Sequence, residues 1–283
     1  MWWKIILIIL GAIIVLIASF ITIGNAIFKG KVNSEVEKLF NKRKDAKPKV
    51  VTEADIKGLP EPVQRYLRYS QIIGKEVIET VRLKQKGSMR MREGQKWMPL
   101  EAAEYYTTDP PGFIWHGSIE FAPFFPVKAR DMLSEGEGAM LVKLLGLINI
   151  ADASGPEMTQ ASLVRYLSEA IWFPTAFLSD CIQWEPIDSN SAKATISVNE
   201  LTASAVFYFN ASGELENFIA DRYRDDNGQL VLEKWSTPIT EYKEINGVRI
   251  PSKGDAVWNL SSGDFKYIEV ELTDIEYNNP SKY

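Results

Sequence analysis

The chain has very little of two residue types that often carry chemistry. Among its 283 residues there is one cysteine, Cys181, and one histidine, His116. A single cysteine excludes an intramolecular disulfide and a thiolate metal cluster. A single histidine leaves no material for a histidine-based zinc site and almost none for a Ser-His-Asp triad. We therefore expect neither a metal nor a cofactor, and the sequence leans away from an enzyme.

Positive charge is not in excess either. The chain carries 32 Lys and Arg against 37 Asp and Glu, a formal net charge of −5. Binding to a nucleic-acid backbone needs a basic surface that neutralises phosphates, so a nucleic-acid partner is not expected. Hydrophobic residues make up 46% of the chain and charged residues 24%. This mixture is typical of a globular protein, and the length allows one large domain.

One long stretch near the start contains no charge at all. Residues 5–23, IILIILGAIIVLIASFITI, follow Trp2 and Trp3, which lie where an interfacial aromatic belt is found. A helix of this length, at about 1.5 Å per residue, can cross a hydrocarbon core of about 30 Å. The competing interpretation is a signal peptide cleaved near Gly24-Asn25-Ala26. The apolar run exceeds the usual length of about 7 to 15 residues, so we predict a retained transmembrane helix over residues 1–28.

The side of the membrane on which the rest of the chain lies stays open at this point. By the positive-inside rule, basic residues after the span favour the cytoplasm. Long domains cross membranes regardless of such charges, so the rule does not decide the matter. The basic residues concerned are Lys29, Lys31, Lys38, Lys42, Arg43 and Lys44.

Residues 29–58 read as a juxtamembrane amphipathic helix followed by a linker. Val32, Val36, Leu39 and Phe40 have the spacing of one apolar helical stripe. The charged segment KRKDAKPKVV, residues 42–51, is typical of a helix end and linker. A further helix after Pro60 is expected to pack on the rim of the main domain.

From Val77 onward the hydrophobic period changes from helical spacing towards two, which predicts half-buried strands. The sequence Asp109-Pro110-Pro111-Gly112 ends one strand, because successive prolines cannot continue a ladder. Residues 140–153 are predicted to be one long strand. Residues 157–180 return to helical spacing, with Pro174 dividing the segment in two.

After Cys181 the chain reads as an antiparallel meander to its end, with strong hairpin signals at Asn227-Gly228 and Asn246-Gly247. The predicted fold class is α+β, mainly antiparallel β. It is a curved sheet or half-barrel that wraps a helical insert near residues 157–180 and follows one N-terminal transmembrane helix. Residues 59–283 then form a single β-rich domain.

Aromatic residues are concentrated where the sheet and the helical insert are expected to meet. They predict either an ordinary packed core or an apolar ligand cavity, since ligand sites are mostly apolar. The candidate cavity residues are Trp97, Trp115, Phe121, Phe124, Phe125, Trp172, Phe173, Phe177 and Trp184. Candidates for a polar rim around this cavity, or for simple solubility, are Arg90, Arg92, His116 and Arg130. A third hypothesis is an enzyme that uses Asp109, His116 and Glu120.

Several stretches resemble a known family. They are GLPEPVQRYLRYS, KGSMRMREGQKWMPLEAAEYYTTDPPGFIW, INGVRIPSKGDAVW and DFKYIEVELTDIEYN. Together they look like a family of prokaryotic single-pass membrane proteins known only as a domain of unknown function, over most of residues 55–278. The closing pattern, a hairpin at Asn246-Gly247 before Arg249-Ile250-Pro251 and a last strand, is also similar to lipoprotein-carrier (LolA-like) half-barrels. That second resemblance implies a sheet that accepts acyl chains, and it favours an extracytoplasmic domain.

The function expected from the sequence is therefore a membrane-anchored, non-enzymatic binding protein. Its partners would be the membrane and a lipid, acyl chain or other hydrophobic ligand held between curved sheet and helices. The alternative is a tethered interaction or sensor domain with a solid core, whose partner is a membrane or envelope protein. An enzyme is the third and weakest hypothesis.

Overall fold

The computed structural model describes residues 2–43, 48–122, 125–226 and 228–283. Part of the predicted linker, the cavity candidate Phe124 and the first residue of the Asn227-Gly228 hairpin lie outside these ranges. The helices are α1 (Trp2–Asn41), α2 (Glu53–Ile56), α3 (Glu61–Tyr69) and α4 (Pro156–Glu169). Two 3-10 turns, Ala170–Trp172 and Pro174–Leu178, continue the path of α4.

The described strands form a single curved antiparallel sheet. Its order is β6-β5-β4-β3-β2-β1-β14-β13-β11-β10-β9-β8-β7, with β12 pairing to β13 beside this path. The strands are β1 (Thr80–Met89), β2 (Met98–Thr108), β3 (Pro111–Ala122), β4 (Phe125–Ser134), β5 (Glu137–Leu144), β6 (Ile148–Ser154), β7 (Ile182–Pro186), β8 (Ser191–Val198), β9 (Leu201–Phe209), β10 (Leu215–Asp226), β11 (Gln229–Ser236), β12 (Ile239–Ile245), β13 (Val248–Leu260) and β14 (Gly263–Tyr277).

The sheet consists of two meanders joined at their inner strands. Strands β1 to β6 form the first meander, the strands after α4 form the second, and β1 pairs with β14 to connect them. The hairpin predicted at Asn246-Gly247 joins β12 to β13, and both residues have positive φ, 52° and 72°. The backbone of this turn therefore has the conformation that its sequence favours.

The predicted long strand over residues 140–153 is wrong. The segment is a hairpin in which β5 and β6 pair with each other. Leu145 and Gly146 turn the chain with φ of 56° and 71°. A leucine rarely adopts this left-handed conformation, so Gly146 is the one residue of the pair that favours the turn.

The main core lies between the concave face of the sheet and the α4 segment. Ala194, Ala205 and Ala220 are cross-strand neighbours on β8, β9 and β10. All three are buried in the main core. Because alanine side chains are short, they leave room for a helix to approach the sheet closely.

A second, smaller core lies on the opposite, convex face of the sheet. Here the C-terminal half of α1 covers Tyr105, Ile114 and Leu141 of β2, β3 and β5. The helix contributes the apolar stripe predicted from the sequence, together with one residue before it: Phe28, Val32, Val36, Leu39 and Phe40. The stripe therefore attaches the long helix to the β domain.

The predicted fold class is confirmed. The domain is mainly antiparallel β, its curved sheet wraps a helical segment that starts at Pro156, and a long apolar helix precedes it. Among the described residues, α1 is the helix long and apolar enough to cross a membrane.

Candidate functional site

The concave face of the first meander is built in rows of cross-strand neighbours. Leu83, Glu104, Trp115 and Asp131 form one row across β1 to β4. The next row towards the β3–β4 turn is Gln85, Ala102, Gly117 and Ala129. A third row contains Gly87, Leu100, Ile119 and Val127, and it continues to Val270 on β14 and Leu144 on β5. Polarity therefore falls from the first row to the third.

The polar row holds a buried ionic cluster centred on Arg165 of α4. Its guanidinium donates to Asp131 at 2.7 Å and to Glu104 and Glu169 at 2.9 Å each. The side chain of Glu104 is completely shielded from solvent. Tyr106 donates a hydrogen bond to Glu169 at 3.0 Å. Three carboxyl groups thus share one guanidinium beneath the helix.

Aromatic rings complete the surroundings of this cation. The guanidinium carbon of Arg165 lies 5.0 Å from the centre of the Phe113 ring and 5.1 Å from that of the Trp115 ring. Both distances are within the range of cation–π attraction. The Trp115 indole nitrogen donates to Gln85 at 3.1 Å, which connects the cluster to the next row.

Burial controls the ionisation of the cluster. It raises the pKa of Glu104 well above the usual range of a glutamate, and the nearby charge of Glu169 raises it further. Burial also raises the pKa of Glu169. Desolvation acts to lower the pKa of Arg165, but the carboxylates outweigh it and raise that pKa well above its normal value. Arg165 therefore stays charged, and a proton on Glu104 reduces the excess of negative charge.

The second row forms an apolar floor beside the cluster. A Cβ atom at Gly117 would collide with the Trp115 ring, so the indole lies directly over this glycine. Ala102 and Ala129 flank the glycine on β2 and β4. Only short side chains leave space for an indole laid flat along the sheet. Trp115 is therefore both a lid over Gly117 and part of the concave surface.

The third row is only partly covered. Val127 and Val270, together with Val142 on β5, are half-buried and pack against the core from its edge. Met89 and Ile268, which are paired on β1 and β14, are half-buried in the same way. This edge is the apolar part of the concave face that the α4 segment leaves partly exposed.

Several predicted cavity residues fill the main core beneath the sheet. Phe177 lies 5.0 Å from Trp184 and 5.4 Å from Phe207, measured between ring centres. The Trp184 indole donates to the Phe177 carbonyl at 3.1 Å. Phe173 is fully buried against Tyr106, with ring centres 4.7 Å apart. Trp172 is also buried in this core.

The remaining aromatic candidates lie elsewhere. Trp97 is half-buried, and the guanidinium of Arg90 stacks over its ring at 4.7 Å. Phe121 and Phe125 are exposed near the turn between β3 and β4. The structure therefore brings five candidates to one hydrophobic core, Trp115, Trp172, Phe173, Phe177 and Trp184. Trp97, Phe121 and Phe125 lie outside it.

The residues proposed for a polar rim do not surround one opening. His116 and Arg130 are cross-strand neighbours on the convex face, beneath α1. The His116 ring lies 5.6 Å from that of Phe28, and Arg130 pairs with Glu35 at 3.2 Å. Arg90 lies near the β1–β2 turn, and Arg92 is exposed within that turn. Burial, followed by the positive charges of Lys128 and Lys29, lowers the pKa of His116 to about 4.

The three residues of the enzyme hypothesis do not converge. Asp109 lies in the turn before β3, and Glu120 lies close to the other end of that strand. At about 3.3 Å per residue, these ends are roughly 30 Å apart. His116 lies between them under Phe28. Within the described ranges, no group of three or more His, Cys, Asp or Glu side chains is arranged to hold a metal ion.

Two open clefts lie on the surface of the described part of the chain. One, of about 490 Å³, is lined mainly by residues of β12, including Glu241, with Glu214 just before β10 and Arg249 on β13. The other, of about 350 Å³, lies beside the β3–β4 turn and includes Glu101, Glu120 and Phe125. Of the described aromatic residues predicted to line a cavity, Phe125 lines the second cleft and none lines the first.

Sequence reasoning missed the ionic cluster. One signal was available, because the alternation Leu100, Ala102, Glu104 places this glutamate on the inward face of β2. A second was the spacing of Arg165 and Glu169, which are neighbours on one face of a helix. That these groups meet Asp131 depends on where α4 crosses the sheet, which neither spacing contains.

Comparisons with solved structures give two similar proteins. One is a structure described as an outer membrane lipoprotein-sorting protein domain from Vibrio parahaemolyticus, at 8% identity and a TM-score of 0.40, covering 72% of this chain and 87% of that one. The other is a LolA superfamily protein from Nitrosomonas europaea, at 8% identity and a TM-score of 0.41, covering 71% of this chain and 87% of that one. No curated protein matches.

A family model covers most of the β domain. It matches residues 49–270, which is more than half of the chain. The match confirms the resemblance to a family of unknown function that the sequence motifs indicated. The chain belongs to DUF6544, a family of unknown function.

Proposed function

We propose that this protein is a membrane-anchored binding protein that holds a lipid or acyl chain on the concave face, between the sheet and the α4 segment. The observation that carries the proposal is the row formed by Leu100, Ile119 and Val127 with Val270, whose outer members are half-buried. Leu100 and Ile119 are already buried, so an extended chain at this edge would cover the exposed parts of Val127 and Val270.

The energetic scale suits an acyl chain. Burying one methylene contributes about 0.8 kcal/mol, so ten methylenes contribute roughly 8 kcal/mol before the costs of ordering the chain. Trp115 covers Gly117 in the neighbouring row, and its indole is an uncharged apolar surface that suits a flexible hydrocarbon. The ionic cluster around Arg165 lies one row further in, where it would limit how deep an apolar chain can go.

Anchoring is supported by the composition of α1. Its residues from Trp2 to Ile23 are almost all exposed and apolar, and charge returns at Lys29. A cleaved signal sequence would pass the same test of length and hydropathy. The intact mass of the protein purified from membranes distinguishes the two, because retention leaves the N-terminal segment in place. Reporter fusions at the C-terminus would identify the side of the membrane.

Ligand binding is tested by native mass spectrometry of the full chain. Protein in detergent is incubated with a membrane lipid extract, and we expect a complex with one added lipid mass. Val127→Asp places a charge on the apolar row and should abolish the complex. Ser118→Asp on the convex face of the neighbouring strand is the matched control and should retain it. Circular dichroism establishes that both variants are folded.

Two outcomes would overturn the binding proposal. One is a full-length protein that repeatedly carries no lipid. The other is a folded Val127→Asp variant that binds lipid as well as the parent chain does.

A second function, a tethered interaction domain with a solid core, is favoured by a different observation. The rings of Phe207, Phe218 and Trp235 extend the aromatic core from β9 to β11, with ring centres 4.9 Å and 6.1 Å apart. This half of the concave side is filled by side chains of the protein itself. Crosslinking in membranes followed by pull-down would then recover a defined protein partner while native spectra show no lipid.

A further inference from the structure

Five large apolar side chains are exposed at one end of the first meander. Phe121 is 60% exposed, Phe125 50%, Leu147 37%, Ile148 60% and Ile150 58%. They belong to the β3–β4 and β5–β6 hairpins, which are adjacent because Val127 of β4 pairs with Leu144 of β5. We call these five residues the hairpin tip patch. Exposed apolar groups clustered in this way mark contact with a membrane or another protein.

Helix α1 fixes the position of this patch relative to the apolar N-terminal segment. Gly24 packs so closely on the β5–β6 turn that a Cβ there would lie 2.8 Å from the Leu145 carbonyl oxygen. At the other end of the sheet, Lys42 forms an ion pair with Glu135 in the β4–β5 turn. The helix therefore runs along the convex face, and residues 2–23 continue beyond the hairpin tips.

The length of that continuation matches a bilayer. Twenty-two residues at about 1.5 Å each extend roughly 33 Å, close to a hydrocarbon thickness of about 30 Å. If this segment spans the membrane, then Gly24 lies at the boundary between hydrocarbon and head groups. Leu147 of the hairpin tip patch contacts the helix at this same residue, which puts this end of the sheet at the same level.

Charge near the tips agrees with such a boundary. Lys29 follows Gly24 by little more than one helical turn. Lys128 and Lys143 are cross-strand neighbours on β4 and β5, close to the same turns. Lysines next to an apolar patch are suited to lipid phosphates, because the ammonium groups reach the head groups while aromatic and aliphatic side chains lie deeper.

We propose that the hairpin tip patch inserts into the interfacial layer of the same bilayer that α1 spans. The inference rests on the membrane anchoring in the proposed function. It has a consequence for ligand entry, because the third row of the concave face ends at these hairpins. An acyl chain would pass from the bilayer onto this row without crossing water.

Insertion is tested by labelling single cysteines in the full chain. In a Cys181→Ser background, Phe121→Cys and Ile148→Cys carry an environment-sensitive fluorophore, and the protein is reconstituted into phosphatidylcholine–phosphatidylglycerol vesicles. Both labels should brighten several-fold, shift to shorter wavelength and be quenched by nitroxides on the lipid chains. Ile187→Cys is the matched control, because Ile187 is 52% exposed but lies outside these hairpins. Its label should remain in water.

A label at Ile13→Cys separates failure of this inference from failure of the anchor. If the Ile13 label lies in the bilayer while the Phe121 and Ile148 labels behave as the Ile187 label does, the tips do not insert and the inference is overturned. Labels at the tips that are shielded from water but not quenched by lipid nitroxides would place a protein partner or a second copy there, which also overturns it. If the Ile13 label is in water, the anchoring itself fails.

Discussion

At the scale of single residues, the cluster around Arg165 is the most constrained part of the domain. One guanidinium pairs with three carboxyl groups in a largely buried site, and each of the three accepts one of its donors. A buried ion pair adds little net stability, but removing one partner is costly because it leaves the other charge buried and unpaired. A change at Arg165 should therefore have a large effect on folding, because its side chain is only 14% exposed.

We expect Arg165→Met to lower the free energy of unfolding by about 3–5 kcal/mol, because it leaves buried carboxyl groups without their cation. Urea titration followed by tryptophan fluorescence measures the change. Arg68→Met is the control, since Arg68 pairs with Glu53 at an exposed site and its loss should have little effect. Equal effects of the two substitutions would contradict the structural role of the cluster.

His116 should make the domain sensitive to acid. Its pKa falls to about 4, whereas an unfolded histidine has a pKa of about 6.5. The folded state therefore excludes a proton that the unfolded state accepts. The free energy of unfolding therefore receives its full value from the neutral His116 above about pH 6.5. It declines as the pH falls towards 4, because the unfolded state takes up the proton first. We expect a loss of about 1–3 kcal/mol over this interval, allowing for partial exposure of the ring.

The measurement is the free energy of unfolding of the parent chain and of His116→Gln near neutral pH and near pH 4. The variant cannot take up the proton, so its stability should decline less. Carboxyl groups also titrate in this interval, and they affect both proteins alike. A parallel decline in the two would refute the assignment to His116.

At the scale of elements, the sequence predicted much of α1 and little of the β5–β6 hairpin on which it packs. The stripe of Val32, Val36, Leu39 and Phe40 was visible as helical spacing, and these residues are buried on the sheet. The β5–β6 hairpin was not visible, because its turn depends on Leu145 at positive φ. The turn packs on Gly24, which is far away in the sequence. A tertiary contact of this kind leaves no local pattern.

Two helical glycines allow this contact to be measured. Replacing glycine by alanine inside a helix normally stabilises it by about 0.5–1 kcal/mol. At Gly30, where a Cβ would meet nothing within 4 Å, we expect Gly30→Ala to raise the Tm in detergent micelles. At Gly24 the new methyl group would collide with Leu145 and Leu147. Such overpacking costs about 1–3 kcal/mol of stability, so Gly24→Ala should lower the Tm. A gain at both positions would show that the hairpin does not contact the helix.

At the scale of the whole molecule, the predicted fold class and the family were right, because period-two alternation, turn residues and helical spacing are local properties. The apolar helix and the helical insert followed from the same reasoning. The candidate site was harder to predict. Phe177, Trp184 and Phe121 are all aromatic, yet the first two are core neighbours and the third is exposed. Which aromatic residues meet depends on how far the sheet curls, and composition does not contain that curvature.

If the tips insert and the concave face binds lipid, then removing apolar contact at the tips should slow loading without changing capacity. We expect Phe121→Ser with Ile148→Ser to reduce the rate at which a fluorescent lipid moves from vesicles to the protein, while the amount bound at equilibrium stays the same. Leu230→Ser with Leu232→Ser is the control, because these exposed residues lie on β11. A drop in capacity rather than rate would assign the tip residues to the binding site itself.

Helix α1 passes from its apolar segment to the sheet without interruption over 40 residues. A continuous helix of this kind holds the domain rigidly, whereas a flexible linker would let it move. The domain would keep a constant height and orientation above the bilayer, so it could not carry cargo through the surrounding solution. Any exchange would take place by sideways diffusion in two dimensions, between neighbours that share the same lipid leaflet.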